Sequence, residues 1–515
     1  MAKRRKISLV SPKLMAKKRD YRKLDIEVVI ALRYRIFFYR RMNLFMKLPN
    51  SLKIAFLIST QWVATTAFAV KDQPNIVFII ADDLTYTDIS CYGGKNVQTP
   101  NIDSIAEEGI RFERCFQASA MCSPTRHNIY TGLYPVKSGA YPNSTLAYDG
   151  TKSVAHYLNE AGYRVGITGK LHIWPESVFP FEYLNKDEDP NQYENDPSLK
   201  AVEKFLSRDP NQPSCTFICY NEPHTPWTLG DASQFDADKL VLPPYFVDTP
   251  TTRKHLVDYY AEVKHLDDSV GEVIALIDRM GMRDDTLLIF VSEQGMAMPF
   301  AKWTCYDNGL QSAFVARWPG KIRPGSTTDA MIEYVDILPT FVEAAGATPA
   351  PVLDGKSFLP VLFGQRNHHK DYVYGIQTTR GISNGSDHYG VRSIRSEKYK
   401  LLINLTPDAA FKNNLTENKG GWTEFWPTWV EAGKTDAFAK ETTHRYQWRP
   451  AEELYDIEND PHEFNNLADE KKYQAIKKDL RLRLLRWMDE QGDLGKETEI
   501  AALSRTFKAG GTAKR

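Results

Sequence analysis

Four short, almost unbroken apolar runs stand out along the chain. They are Asn75-Ile76-Val77-Phe78-Ile79-Ile80, Arg164-Val165-Gly166-Ile167-Thr168, Cys215-Thr216-Phe217-Ile218-Cys219-Tyr220 and Thr286-Leu287-Leu288-Ile289-Phe290-Val291. Continuous apolar runs of this length, without the alternation of a half-exposed strand, predict strands covered on both faces. Between them the apolar period lengthens to three and four. Thr99–Gly109 places Ile102, Ile105 and Ala106 on one face, with Gly109 as its C-cap. Ser153–Gly162 does the same with Val154, Tyr157 and Leu158, and Asp258–Met280 with Val263, Leu266, Val270, Ile274 and Ile277. These segments predict helices. Strands alternating with helices predict an α/β fold, a large, mostly parallel sheet sandwiched by helices. After about residue 370 the texture changes. Val391–Asn404 reads as two strands joined by a turn, and residues 405–450, rich in Trp, Asn, Thr and Lys, as a long surface excursion. Tyr473–Met488 reads as a closing helix with Ile476, Leu480, Leu484 and Trp487 on one stripe. The expected division is an α/β domain over residues 70–370 and a smaller α+β subdomain over residues 371–515.

The formal net charge of zero conceals an asymmetry. Before Met46 there are 14 basic and 3 acidic residues; the rest of the chain has 51 basic and 62 acidic. An acidic body argues against a nucleic-acid partner, so basic contacts to any polyanionic substrate must be concentrated at one site. Residues 46–69 have the pattern of a secretory signal. Lys47 and Lys53 precede the apolar Ile54-Ala55-Phe56-Leu57-Ile58, and Ala67-Phe68-Ala69 has the small-x-small cleavage form. Ser59, Thr60 and Gln61 interrupt the apolar stretch, which is too short and too polar for a stable membrane span. Residues 1–45 then lie upstream of a normal signal, as a mis-start before Met42 or Met46 or as a basic arm. The expected location is the periplasm or the medium. The six cysteines form no C-x-x-C pair. Cys215 and Cys219 sit about 13 Å apart along one strand, too far for a mutual disulfide.

Chemistry gathers just after the four strands: Asp82 and Asp83, then Lys170 and His172, then His224, then Glu293, Gln294 and Lys302. In parallel α/β sheets ligands bind beyond the carboxyl ends of the strands. Asp82, Asp83, Glu293 and Gln294 offer hard oxygen ligands suited to Ca²⁺ or Mg²⁺ rather than Zn²⁺. The lysines and histidines suit an anionic group. Met121-Cys122-Ser123-Pro124-Thr125-Arg126, followed by Tyr130-Thr131-Gly132, adds a cysteine at the start of a helix near Pro124. Read locally, the helix N-terminus lowers the thiol pKa and suggests a cysteine nucleophile.

Cys122-Ser123-Pro124-Thr125-Arg126 resembles the C-x-P-S/T-R signature of type I sulfatases, and the likeness covers nearly all of residues 74–470. Asn75–Asp83 is similar to that family's opening strand and metal-binding acid pair. Gly169-Lys170-Leu171-His172 is similar to its G-K-x-H segment and Pro223-His224-Thr225-Pro226 to its P-H-x-P segment. Trp318-Pro319-Gly320, Glu453-Leu454-Tyr455-Asp456, Asp460-Pro461-His462-Glu463 and Asn466-Leu467 extend it. Residues 169–181 and 277–282 look closest to the sulfamidase-like branch, which includes bacterial enzymes acting on algal polysaccharides such as ulvan. The resemblance implies an alkaline-phosphatase-like fold and an exported hydrolase of sulfated carbohydrate. It implies a Cys122 oxidised to formylglycine (3-oxoalanine) by a formylglycine-generating enzyme or an anaerobic maturase. It also implies Ca²⁺ on Asp82, Asp83, Glu293, Gln294 and the side chain at 122. Arg126, Lys170, His172, His224 and Lys302 become the catalytic set, with Lys170, His224 and Lys302 on the sulfate. One departure stands out: the family's Ser-Asp-Asn/His-Gly is here Ser292-Glu293-Gln294-Gly295, each acidic or amide side chain one methylene longer.

Other readings of the same residues are a glycosaminoglycan sulfatase or sulfamidase, a phosphonate or phosphodiester hydrolase of the same superfamily, and a non-catalytic binder of sulfated glycans. The Trp-rich residues 405–450 are the candidate sugar contacts, against ordinary packing of the smaller subdomain.

Overall fold

The computed structural model describes residues 73–185, 196–419, 422–507 and 510. The expected signal at 46–69 and the arm at 1–45 lie outside them. Among the described residues no helix is long and apolar enough to cross a membrane.

All four apolar runs are strands: β1 (Asn75–Ala81), β2 (Arg164–Gly169), β3 (Ser214–Cys219) and β4 (Thr286–Ser292). They form the parallel centre of an eight-stranded sheet in the order β4-β1-β3-β2. Glu182–Tyr183 extends one edge in parallel. On the other side Phe314–Arg317 runs antiparallel to β4, followed by Ile110–Phe112 and Ser326–Thr328.

Strand β1 shows why the sequence is apolar throughout. Val77, Ile79 and Ala81 face one buried cluster, with Leu256, Val263, Leu266, Val270 and Ile277 of the long helix Pro250–Arg279. Ile76, Phe78 and Ile80 face another, with Leu158, Ile337, Leu338 and Phe341. Period-two alternation thus sends both sets into cores, and the centre of the sheet has no wet face.

Three expectations are corrected in detail. The long helix starts at Pro250 rather than Asp258, because Thr249 caps it by accepting from the Thr252 N–H at 3.1 Å. The helix Pro100–Glu107 ends without Gly109 as a left-handed cap; its C-cap is Glu108 in right-handed geometry. Gly109 is needed for another reason: a Cβ there would lie 1.9 Å from the Ala316 carbonyl oxygen of the neighbouring strand. Residues 405–450 are more than a surface excursion. Within them Phe425–Ala432 and Ala437–Gln447 are helices, and Phe425, Trp426, Trp429 and Tyr446 are buried. The Trp429 indole N–H donates to Thr252 Oγ1 at 2.7 Å, pinning the segment to the long helix. Its aromatics are therefore mainly core residues.

The expected strand pair after residue 390 is present as Gly390–Arg395 and Tyr399–Asn404. It lies within a four-stranded antiparallel sheet completed by Val373–Thr378 and Glu452–Asp456. The closing helix spans Gln474–Gln491 and sets Leu480, Leu484 and Trp487 against Ile376, Ile394, Leu401 and Leu454.

Candidate active site

The four parallel strands end at one edge, and backbone bonds fix where each following loop departs. Glu293 N–H donates to Ala81 O at 2.8 Å, Tyr220 to Ile80 O at 2.9 Å, Lys170 to Cys219 O at 2.9 Å and Asp82 to Glu222 O at 3.0 Å. Gly169 makes this crowding possible: its φ is 82°, and a Cβ would sit 2.0 Å from the Cys219 carbonyl oxygen. The wholly buried helix Cys122–Thr131 points its N-terminus at the same edge. Cys122 and Arg126, four residues apart, share the face turned to it.

The structure brings the sequence-derived residues together. Cys122 Sγ lies 3.3 Å from Asp82 Oδ1 and 3.2 Å from Gln294 Nε2. Gln294 Nε2 is also 3.0 Å from Asp82 Oδ1 and 2.6 Å from Asp83 Oδ1. Arg126 Nε is 2.6 Å from Glu293 Oε1 and its Nη2 is 3.7 Å from Asp82 Oδ2. Lys170 pairs with Asp82 and donates to Asn221 Oδ1 at 3.0 Å. Lys302 pairs with Asp83. His224 Nε2 stands 3.7 Å from Asp83 Oδ2, while its Nδ1 is 2.7 Å from the Thr225 carbonyl. That contact fixes the proton of the neutral imidazole on Nδ1 and turns Nε2 towards the carboxylates. His172 Nε2 meets Ser144 Oγ at 3.2 Å. Asp83, Ser144, His172, Phe300 and Trp303 all have φ between 51° and 68°, a left-handed backbone unusual for such residues. Strain of this kind gathers where function over-determines the backbone.

The electrostatics follow from burial among opposed charges. Burial opposes ionisation of Asp82, but Lys170, His224, Lys302 and Arg126 together hold its carboxyl well below the usual range. Asp83 is pushed up to about 6, by burial first and by Asp82, with Lys302 opposing. Burial also drives Glu293 well up, with Arg126 opposing and Asp82 adding to it. Burial and the nearby lysines keep His224 neutral, and burial with Lys170 and Arg126 does the same for His172. The Cys122 thiol is raised, chiefly by burial and then by the Asp82 charge, despite Lys302 and Lys170. The helix N-terminus does not win here, so the cysteine-nucleophile reading is corrected: this thiol holds its proton. All six cysteines are free.

The donor set fits a hard divalent cation. Asp82, Asp83, Glu293 and Gln294 are all fully buried at this edge; Gln294 turns its Nε2 to the two aspartates, and Glu293 Oε2 and Gln294 Oε1 are buried without a hydrogen-bond partner. Asp82, Cys122 and His224 bring ligand atoms within 4.8 Å of one another. One orphaned carboxyl oxygen and one orphaned amide oxygen, beside two further carboxyl groups, are what a bound cation would satisfy.

This charged floor opens into a cavity of about 390 Å³, lined by Cys122, Lys170, His172, His224 and Lys302 and, further out, by residues such as Trp174, Trp422 and Phe507. Residues 74–347 match the family model of the sulfatases, and residues 295–413 match that of the N-sulphoglucosamine sulphohydrolase C-terminal region. The chain belongs to the sulfatase family. It is a sulfuric ester hydrolase of the sulfamidase-like branch. It is 35% identical over 441 residues to an ulvan-active sulfatase of Formosa agariphila, covering 84% of this chain and 83% of that one. It is 26% identical over 480 residues to human N-sulphoglucosamine sulphohydrolase, covering 81% and 90%. In fold it is similar to BT4656, solved with its substrate D-glucosamine-2-N,6-O-disulfate, with a TM-score of 0.63 at 21% identity over 82% of this chain and 99% of that one.

Several residues of the sulfatase site escaped sequence reasoning. Asn221 holds Lys170, Ser144 holds His172, and Asn143, Trp422 and Phe507 line the cavity. Asn221 stands in the loop already singled out for His224 and was within reach. Phe507 comes from the far end of the chain, and no local pattern marks it.

Proposed function

We propose that this sulfatase removes sulfate from an algal polysaccharide or oligosaccharide such as ulvan, using Cys122 after its conversion to formylglycine by a dedicated maturase. The observation that carries this reading is Cys122 itself, buried at a helix N-terminus, protonated as a thiol, and ringed by Asp82, Gln294, Lys170 and Lys302. A group so placed gains reactivity from modification rather than from ionisation. The aldehyde hydrate at position 122 supplies the hydroxyl that attacks sulfur. Asp82, Asp83, Glu293, Gln294 and the side chain at 122 would hold calcium, whose charge would polarise the ester and acidify that hydroxyl.

The chain's own side chains do the rest. Arg126 and Lys170 orient the side chain at 122. Lys302 and His224 grip the sulfate oxygens, where charge grows in the transition state. His224 presents only Nε2 to the cavity; an anionic ester beside it offsets the lysines and favours its protonation, so that it hands a proton to the leaving sugar oxygen. His172 takes the proton of the remaining hydroxyl at position 122, so that the C–O bond to the transferred sulfate breaks, sulfate leaves and the aldehyde returns, ready to be hydrated again. Export through the signal at 46–69, giving a mature start near Val70, is part of the proposal; N-terminal sequencing of the active protein checks it.

Sulfate release from ulvan, fucan, carrageenan and heparan oligosaccharides, measured side by side with an aryl phosphodiester, tests the substrate. Release from ulvan above the others supports the reading. The match at residues 295–413 favours a glycosaminoglycan as the second reading, and preference for the heparan arm would establish it. Mass spectrometry of the Cys122 peptide from active enzyme should show the aldehyde. An unmodified thiol in fully active protein would overturn the nucleophile, and Cys122→Ala should fold, bind the glycan and turn over nothing.

A further inference from the structure

One wall of the cavity is built from two distant parts of the chain. The Trp174 indole and the Phe507 ring are stacked, with centroids 5.1 Å apart and planes within 3°. Both line the cavity. The Trp174 backbone is pinned by His127, which contacts its carbonyl at 3.1 Å, and by the Ala147 N–H at 2.9 Å. The His172 ring meets the indole edge-on at 5.5 Å, so this wall begins one ring away from the charged floor.

Phe507 is strapped down. Arg505, next but one, donates through Nε to Gly139 O at 3.0 Å and through Nη2 to Leu146 O. Thr506 bridges Thr145, and the Phe507 N–H donates to Ser144 O at 2.7 Å. Yet the Phe507 side is 52% exposed. A ring held by three successive residues and left half-bare is not a core residue. Ordinary packing accounts for the strap but not for the bare ring.

Two polar atoms at the same cavity are buried without a hydrogen-bond partner: Asn143 Oδ1, an acceptor, and Trp303 Nε1, a donor. Trp303 also holds φ at 65°, in the left-handed region, which places its ring in the cavity at a conformational cost. A buried donor and acceptor without partners, beside a stacked aromatic pair and a floor carrying Lys170 and Lys302, call for a ligand with hydroxyl groups and an apolar face. A pyranose ring has both: its axial C–H groups carry the slight positive charge that an aromatic face attracts.

We infer that the stacked Trp174–Phe507 pair is the aromatic wall against which the sulfated sugar ring packs, with Asn143 Oδ1 and Trp303 Nε1 reading its hydroxyls, so that residues 505–507 complete the substrate site. This rests on the sulfated-carbohydrate reading above. It assigns Phe507 and Trp174 to sugar recognition rather than to chemistry. The charged floor handles the sulfate, and the wall decides which ring carries it.

The test uses the matured full-length enzyme with a sulfated ulvan oligosaccharide, and Trp174→Ala, Trp174→Phe, Phe507→Ala and Asn143→Ala. Trp174→Ala and Phe507→Ala should each raise KM for the oligosaccharide about tenfold, the effect of losing one good apolar contact. The fall in kcat should be smaller than the rise in KM. Trp174→Phe should recover most of the loss, and Asn143→Ala should raise KM less. In the Cys122→Ala background, calorimetric titration with the same oligosaccharide should show the same order of affinities, which separates binding from turnover. Unchanged KM and affinity in both aromatic variants would overturn this assignment. So would a lowered kcat at constant KM with a lower melting temperature, the mark of a purely structural wall. Failure of the function reading looks different: wild-type enzyme would then cleave 4-nitrophenyl sulfate and no sulfated carbohydrate.

Discussion

Substituting Glu293 separates its two duties by thermodynamics rather than by activity. Glu293 Oε1 faces the guanidinium of Arg126 at 2.6 Å, and both side chains are fully buried. Its other oxygen, Oε2, is buried without a hydrogen-bond partner and is the atom assigned to the proposed cation. Burial drives the carboxyl up in the metal-free protein, so a glutamine, neutral and of the same shape, resembles its protonated form. With a strong chelator present, Glu293→Gln should therefore stay within about 1 kcal/mol of wild type. Glu293→Ala strips the buried guanidinium of Arg126 of its nearest hydrogen-bond partner, which costs about 3 kcal/mol. Calcium changes the ranking. At 100 times its Kd it stabilises wild type by about 2.7 kcal/mol; if loss of an anionic ligand weakens binding about 100-fold, Glu293→Gln gains only about 0.4 kcal/mol at the same concentration. Urea unfolding in chelator and in calcium, with elemental analysis of the bound metal, reads all four values. Equal calcium stabilisation of wild type and Glu293→Gln would refute the ligand role. A Glu293→Ala variant as stable as wild type in chelator would refute the structural one.

Three further outcomes are expected. Chelation should abolish activity, and Ca²⁺ should restore it better than Zn²⁺; full activity with no metal detected would remove the cation from the scheme. Because Asp83 is raised to about 6 in the metal-free site, protons compete with the cation, so calorimetry should show calcium affinity falling as pH drops through about 6. The metal-free protein, in turn, should lose the Asp83 contribution to stability as pH rises from about 4 to about 6, which melting temperatures in chelator would follow. Trp429→Ala should destabilise the protein by about 3–5 kcal/mol, with Trp429→Phe costing less, and hydrogen exchange should rise over residues 425–447; a near-neutral Trp429→Ala would return this segment to the surface.

The central sheet was legible because its signal is local. A strand buried on both faces, such as Asn75–Ala81, announces itself by continuous apolarity, and whatever follows it must emerge at the carboxyl edge. That one rule located Asp82, Asp83, Lys170, His172, His224, Glu293, Gln294 and Lys302 before any geometry was known. Cys122 was legible differently, through a five-residue signature rather than through its setting, and its setting reversed the local expectation of an acidic thiol. The wall of the cavity was not legible. Phe507 reaches Trp174 across more than three hundred residues, and neither position is chemically conspicuous. The Trp-rich segment misled for a related reason. Composition marks aromatic residues as available for sugar, but only tertiary packing shows that Trp426 and Trp429 are spent on the core while Trp422 lines the cavity.

The pKa directions also bear on which anions the site accepts. At neutral pH the metal-free site sets Arg126, Lys170 and Lys302 against Asp82, firmly ionised, and Asp83, raised only to about 6, while burial favours the neutral form of Glu293. The buried centre then holds an excess of one positive charge. A divalent cation bound among these side chains would displace the Glu293 proton and raise that excess to two. Two negative charges are therefore called for. A sulfate monoester brings one, and an ionised hydroxyl on the attacking group brings the second, so the reacting complex is neutral where burial punishes any remainder. A phosphate monoester, a dianion near neutral pH, fills the excess by itself and leaves the ionised nucleophile uncompensated in the same buried space. Singly charged esters are thus the fitting substrates, and preference among their sugars passes to the neutral aromatic and amide wall that the charged floor does not influence.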